Sequence, residues 1–172
     1  KKVFTLKRVG RNKKQHLFGR VQKNKKTIMH KIVNKAMNDD PTRGVPAALA
    51  GTEDATSLSG FTMASERKTG SLLRSLAATK PDGEFLELGT GTGLSTCWIL
   101  DGMDSNSRLT SVDNDEAVLA IAQKHLGADP RVEFICADGA DFLTTVSGQR
   151  FDFIFADTWP GKFTHLDETL RL

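Results

Sequence analysis

From Gly83 onward, apolar and polar residues fall into short blocks that alternate between two periods. Glu84 to Leu88 is a compact apolar run, followed by a glycine-rich turn and a helical stretch through about Leu100. Arg108 to Asp113, Val132 to Ala137 and Phe151 to Ala156 repeat the strand-like pattern. Between them, Glu116 to Leu126 sets Val118, Ile121, Ala122 and Leu126 at helical offsets, and Ala140 to Val146 makes a shorter helix. Another helix opens at Leu166. Strand alternating with helix is the grammar of a parallel sheet, and right-handed crossovers force the helices onto its two faces. The spacing predicts an α/β fold, a Rossmann-like doubly wound parallel sheet. The chain stops at Leu172, inside the last of these helices. The further C-terminal strands of such a sheet are therefore expected to be missing from this chain or supplied elsewhere.

Upstream the pattern is less regular. Lys1 to Lys26 keeps no period beyond a short strand at Val3 to Leu6 and is expected to be extended. From Thr27, the residues Ile28, Met29, Ile32, Val33, Ala36 and Met37 recur on one helical face, and Asn38-Asp39-Asp40-Pro41 ends the run. Arg43 to Ser59 reads as a loop with one short helix. Ser65 to Thr79 places Leu72, Leu73, Leu76 and Ala77 on one face, with Ser65 as candidate N-cap. Three parts result: a basic arm over 1–26, a helical cap and loop over 27–59, and the Rossmann-like domain over 60–172, incomplete at its C-terminus.

Composition narrows the class. The 172 residues, 38% hydrophobic and 26% charged, suit one globular domain. No apolar run approaches the roughly 20 residues of a membrane helix, so no membrane contact is expected. Cys97 and Cys136 have no metal-ligand spacing and read as reduced, buried residues of a cytoplasmic protein. The net charge of +3 hides an asymmetry: residues 1–38 hold 13 Lys/Arg and no Asp/Glu, leaving 11 basic against 21 acidic residues from Asp39 onward. Such an arm can bind RNA or an acidic surface, contact its own body in the chain or in a homodimer, or simply be a solvated extension.

The chemistry gathers at the strand ends. Glu87-Leu88-Gly89-Thr90-Gly91-Thr92-Gly93 lies between a strand and a helix, where alternate glycines let a ligand lie against bare peptide. Leu94 stands where a pyrophosphate fingerprint would place its third glycine, and Glu87 would repel a pyrophosphate but suits the ammonium of a methionine moiety. Both details favour S-adenosylmethionine over a dinucleotide. Ser95, opening the next helix, can bind the methionine carboxylate with free backbone N–H groups. Asp113 ends the second strand and either caps the next helix or accepts from both ribose hydroxyls; beside the glycine motif, the ribose role is the better reading. Asp138 can accept from the adenine amino group, cap a helix, or do both. Asp157 is expected to project beside the transferable methyl, and Trp159 to be either an aromatic wall or a core clamp. His165 is close enough to be a base, though a histidine near a helix start is usually solvent-facing; His125 reads as structural.

These motifs resemble the catechol O-methyltransferase-like branch of class I S-adenosylmethionine-dependent methyltransferases, in particular its small bacterial O-methyltransferases. The resemblance runs from about Gly60 to Leu172. It implies that Met63 and Ser65, in Phe61-Thr62-Met63-Ala64-Ser65-Glu66, touch the cofactor. It further implies that Glu87, Gly89 and Ser95 hold its methionine part, Asp113 and Asn114 the ribose, and Gly139, Ala140 and Trp159 the adenine, with Gly91 of the glycine loop also binding the cofactor. Asp157 matches an aspartate that binds Mg2+ or a similar divalent ion in the metal-dependent members. Two departures stand out: the lysine those members carry three residues later is Pro160 here, with Lys162 the nearest, and their other metal ligands follow a fifth strand. The expected activity is methyl transfer to a hydroxyl oxygen of a small molecule, with Asp157 as the catalytic residue. The alternatives are an RNA (tRNA) methyltransferase using the basic arm, and a non-catalytic cofactor-binding module.

Overall fold

The computed structural model describes residues 44–172. The predicted basic arm, the strand at 3–6 and the helix from Thr27 lie outside the described residues. Eleven residues, Leu49–Ser59, form helix α1 and close on Gly60 in the left-handed conformation. This is more helix than the loop expected over 43–59. Its buried face is Leu49, Thr52 and Thr56, and the two threonine hydroxyls bond back to the carbonyls of Ala48 and Thr52. Threonines satisfied in this way line a buried helix face without leaving an apolar period in the sequence.

Helix α2 spans Arg67–Ala77 and corrects two expectations. Its N-cap residue is Glu66, not Ser65, and no side chain caps it. Its buried stripe is Gly70, Leu73 and Ala77, while Leu72 is 59% and Leu76 41% exposed. The reason lies at Gly70, where a Cβ would fall 2.2 Å from Trp98 Cδ1. The indole needs the bare backbone, and that contact rotates the helix so that Leu72 and Leu76 face out.

The remaining elements follow the predicted alternation: β1 Glu84–Leu88, α3 Leu94–Gly102, β2 Arg108–Asp113, α4 Glu116–Leu126, β3 Val132–Cys136, α5 Gly139–Thr145, β4 Phe153–Ala156 and the short α6 Leu166–Thr169. In α4 the fully buried positions are Leu119, Ala122 and Leu126, with Val118 and Ile121 only half-buried. Cys136 is exposed rather than buried, because β3 lies at an edge of the described sheet. The strands pair in parallel in the order β3-β2-β1-β4. The chain therefore steps outward from β1 through β2 to β3, then returns to the other side of β1 as β4. That reversal opens a crevice at the carboxyl ends of β1 and β4, the usual ligand position in such sheets. Alternation along β1 feeds both cores. Phe85 packs with Trp98, Ile99 and Leu109 on one face, while Leu86 and Leu88 pack with Val112, Phe142 and Leu143 on the other.

The join between the glycine loop and α3 is tight. Gly93 has φ +91°, and a Cβ there would lie 2.9 Å from Ala122 Cβ and 3.0 Å from Leu126 Cδ1. Gly93→Ala combines a left-handed backbone with overpacking against α4 and should destabilise the fold by about 2–4 kcal/mol. Thermal unfolding should show it; an unchanged melting temperature would contradict this packing.

Candidate active site

The crevice holds an open cleft of about 380 Å³. Its floor is the loop after β1, where Gly89, Gly91 and Gly93 all have positive φ (102°, 53° and 91°). Backbone bonds from Gly89 N and Thr90 N to the Val112 carbonyl tie the loop to β2. Asp113, at the tip of β2, anchors it further: one carboxylate oxygen accepts from Gly91 N at 2.7 Å, the other from Asp115 N at 2.9 Å. Each oxygen keeps a lone pair for a ligand. The cap of α4 is not Asp113 but Asp115, which accepts from the N–H groups of Ala117 and Val118. Over the loop lies the segment before α2, with the Phe61 ring 3.1 Å from where a Gly91 Cβ would stand.

Most of the residues singled out from sequence meet here. Met63, Ser65, Gly89, Gly91, Ser95, Asp113, Asn114, Asp157 and Trp159 line the cleft. A smaller adjoining cavity of about 250 Å³ is lined by Asp138 and Gly139 together with Asp113, Asn114, Trp159 and Ala137. Asp138 also caps α5, accepting from Ala140 N and Asp141 N. Ala140 lines neither cavity; its N–H is turned to that cap. His165 is exposed and lines neither. Phe61, Thr90, Lys162 and Phe163 line the cleft without having been assigned to it from sequence.

Glu87 is placed differently from its sequence reading. It is 0% exposed and absent from the cleft wall. Being two residues from Phe85, it points to the same face of the sheet, under the start of α3. Its carboxylate accepts from the hydroxyls of Ser95 at 2.5 Å, Thr96 at 2.6 Å and Ser111 at 2.6 Å. Burial holds its pKa above the ordinary glutamate value, and the three hydroxyls offset only part of that rise.

On the opposite rim, Asp157 follows β4, its N–H bonded to the Leu88 carbonyl. The chain then doubles back sharply: Pro160 is extended, Gly161 has φ +88°, and Gly161 N donates to the Thr164 carbonyl at 2.7 Å. This reversal returns Lys162 to Asp157, Nζ to Oδ1 at 2.7 Å. Trp159 and Phe163 stand beside the pair with ring centroids 4.8 Å apart, 70% and 63% exposed. Among the described residues no three His, Cys, Asp or Glu side chains gather as a metal site. A hard divalent ion wants about six oxygen ligands, whereas Asp157 offers one carboxylate already neutralised by an ammonium. The described residues do not fit such an ion.

Comparison with known proteins agrees with this geometry. Residues 86–165 match the family described as a methyltransferase domain. A Mycobacterium leprae protein bearing an O-methyltransferase name is 33% identical over 95 residues, 53% of this chain and 42% of that protein. The chain thus spans less than half the length of this relative. Among solved structures, a cofactor-bound protein from MTB superposes with a TM-score of 0.68 at 25% identity, covering 80% of this chain and 65% of that one. The O-methyltransferase TomG from Streptomyces achromogenes, solved in complex with SAM, gives 0.67 at 25% identity, covering 76% and 63%.

Proposed function

We propose, from the premise that the core of this chain is a methyltransferase domain of the class I fold, that the protein transfers a methyl group from S-adenosylmethionine to a hydroxyl oxygen of a small molecule. The observation that carries the reading is the convergence on one cleft of the glycine loop, the Asp113 carboxylate and the Asp157–Lys162 pair. The sulfonium supplies a methyl already activated for in-line displacement. The protein's part is alignment, exclusion of water and control of the acceptor proton. The free lone pairs of Asp113 suit two ribose hydroxyls. The Asp138 cavity, beside Trp159, suits the adenine. At the other end, Lys162 occupies Oδ1 of Asp157 and leaves Oδ2 to accept from the acceptor hydroxyl, while the ammonium stabilises the oxyanion as its proton leaves.

The lip supports a flat, partly apolar acceptor such as a small phenol, because Trp159, Phe163 and Met63 expose apolar surface beside Asp157. An RNA acceptor is less well supported: among the described residues the cation lining the cleft, Lys162, is already paired, whereas a phosphate backbone calls for available positive charge. Two free thiols suit a reducing cytoplasm, and among the described residues no helix is long and apolar enough to cross a membrane.

Calorimetric titration tests the cofactor. S-adenosylmethionine and S-adenosylhomocysteine should bind with one site per chain, NAD should give no heat, and labelled methyl should pass to a panel of small phenols. Binding of NAD with neither adenosyl compound would end the reading.

A further inference from the structure

The side chains of the Asp157–Lys162 pair are 40% and 45% exposed, and an ion pair so open to water adds little to stability. Yet the turn that makes it leaves little freedom. Gly161 is buried with φ +88°, and a Cβ there would lie 2.7 Å from Leu88 Cδ1 and 3.1 Å from Ala156 Cβ, so only glycine fits. Three backbone bonds close the loop: Gly161 N donates to the Thr164 carbonyl, and both Phe163 N and Thr164 N donate to the Trp159 carbonyl. Pro160 packs on the start of α5, its Cβ 3.1 Å from where a Gly139 Cβ would stand. Lys162 therefore springs from a fixed base. Its ammonium lies between two attractions, Asp157 Oδ1 at 2.7 Å and the Phe163 ring, whose centroid is 5.4 Å away.

A hydroxyl that attacks a methyl group loses its proton, and a fixed positive charge stabilises the oxyanion that develops. A divalent ion provides such a charge when about six oxygen ligands hold it, a set that the described residues do not gather around Asp157. An ammonium needs no such cage. It carries three N–H donors, so one can stay on Asp157 while another reaches an acceptor oxygen. We propose that Lys162 is a catalytic residue whose ammonium is the working cation of the site, so that methyl transfer runs on a charge built into the chain and needs no added metal. This rests on the methyl-transfer reading above. A lone pair of the acceptor oxygen forms the new C–O bond, and the C–S pair stays with sulfur as the sulfonium becomes a neutral thioether. The hydroxyl proton passes to Asp157 Oδ2 and then to water. Lys162 keeps its protons throughout, acting as charge and donor and not as a base.

Metal binding is tested first, without turnover. Mn2+ titrated into the whole protein with S-adenosylhomocysteine, followed by electron paramagnetic resonance, should reveal no bound ion that Asp157→Ala removes. Wild-type methyl transfer should then be unchanged by EDTA and by added Mg2+ or Mn2+. Lys162→Met should lower kcat about 100-fold, the loss of one donor to an oxyanion, with the affinity for S-adenosylhomocysteine within a few-fold of wild type. Lys162→Arg keeps a positive charge that cannot act as a base, and should recover most of that loss. A bound Mn2+ that depends on Asp157, turnover abolished by EDTA and restored by metal, or an arginine variant no better than methionine would each overturn the inference. A wild-type protein that binds no S-adenosylhomocysteine would instead sink the methyl-transfer reading itself.

Discussion

Asp157→Ala should lower methyl transfer by about 10³-fold while leaving the affinity for S-adenosylhomocysteine within a few-fold of wild type. The expected split follows from position. The Asp157 backbone belongs to the sheet, its N–H held by Leu88, so removing the side chain leaves the strand end and the wall of the glycine loop in place. What disappears is the carboxylate that holds Lys162 at 2.7 Å and that we propose orders the acceptor hydroxyl. Without it the ammonium is free to swing into water, and both the proton acceptor and the positioned positive charge go together. Asp157→Asn separates the two contributions, since it keeps the shape and loses the charge; it should fall between alanine and wild type. Turnover retained in the alanine variant would remove Asp157 from the chemistry. A collapse of cofactor affinity alongside turnover would instead make it part of the cofactor pocket.

Much of this site was legible because strand ends are easy to find. Each acid that closes an apolar block, Asp113 at the end of β2 and Asp157 just after β4, had to stand at one edge of a parallel sheet once the alternation was recognised. The glycine loop between β1 and α3 placed the floor. What escaped was of two kinds. Some signals were ambiguous at short range: Leu72, Leu73, Leu76 and Ala77 span enough of a helix that two different faces fit, and only the Trp98 contact at Gly70 selects one. Helix α1 hid because threonine is polar in sequence yet buried when its hydroxyl bonds one turn back.

Other relationships lie between distant residues. Glu87 read as a cleft acid from its neighbours in sequence, but its partners are Ser95, Thr96 and Ser111, from 8 to 24 positions away. The period of two along β1 was the available warning, since it puts Glu87 with Phe85 rather than with the loop. Lys162 is the converse case. Five residues from Asp157, it stands two positions beyond the place where the resembling family carries its lysine. Pro160-Gly161 was the signal for a tight reversal that brings it back, and such a reversal restores proximity that linear spacing denies.

Asp113→Ala should weaken S-adenosylhomocysteine about 100-fold, because two functions sit on one carboxylate. Each oxygen already holds a backbone N–H, Gly91 on one side and Asp115 on the other. Alanine therefore loosens the floor of the cleft as well as removing the proposed acceptors for the ribose, and a pocket that bonds a hydroxyl discriminates strongly when that bond is lost. The two effects separate with a second ligand, the 2′-deoxy form of S-adenosylhomocysteine. Wild type should prefer the ribose compound by about tenfold, one hydrogen bond to a charged group. In Asp113→Ala that preference should vanish, while both ligands also lose a common factor from the freed Gly91. If the variant keeps the wild-type preference for the 2′-hydroxyl, Asp113 serves the loop alone, and the ribose must find its acceptor elsewhere along the rim, with Asn114 the adjacent candidate.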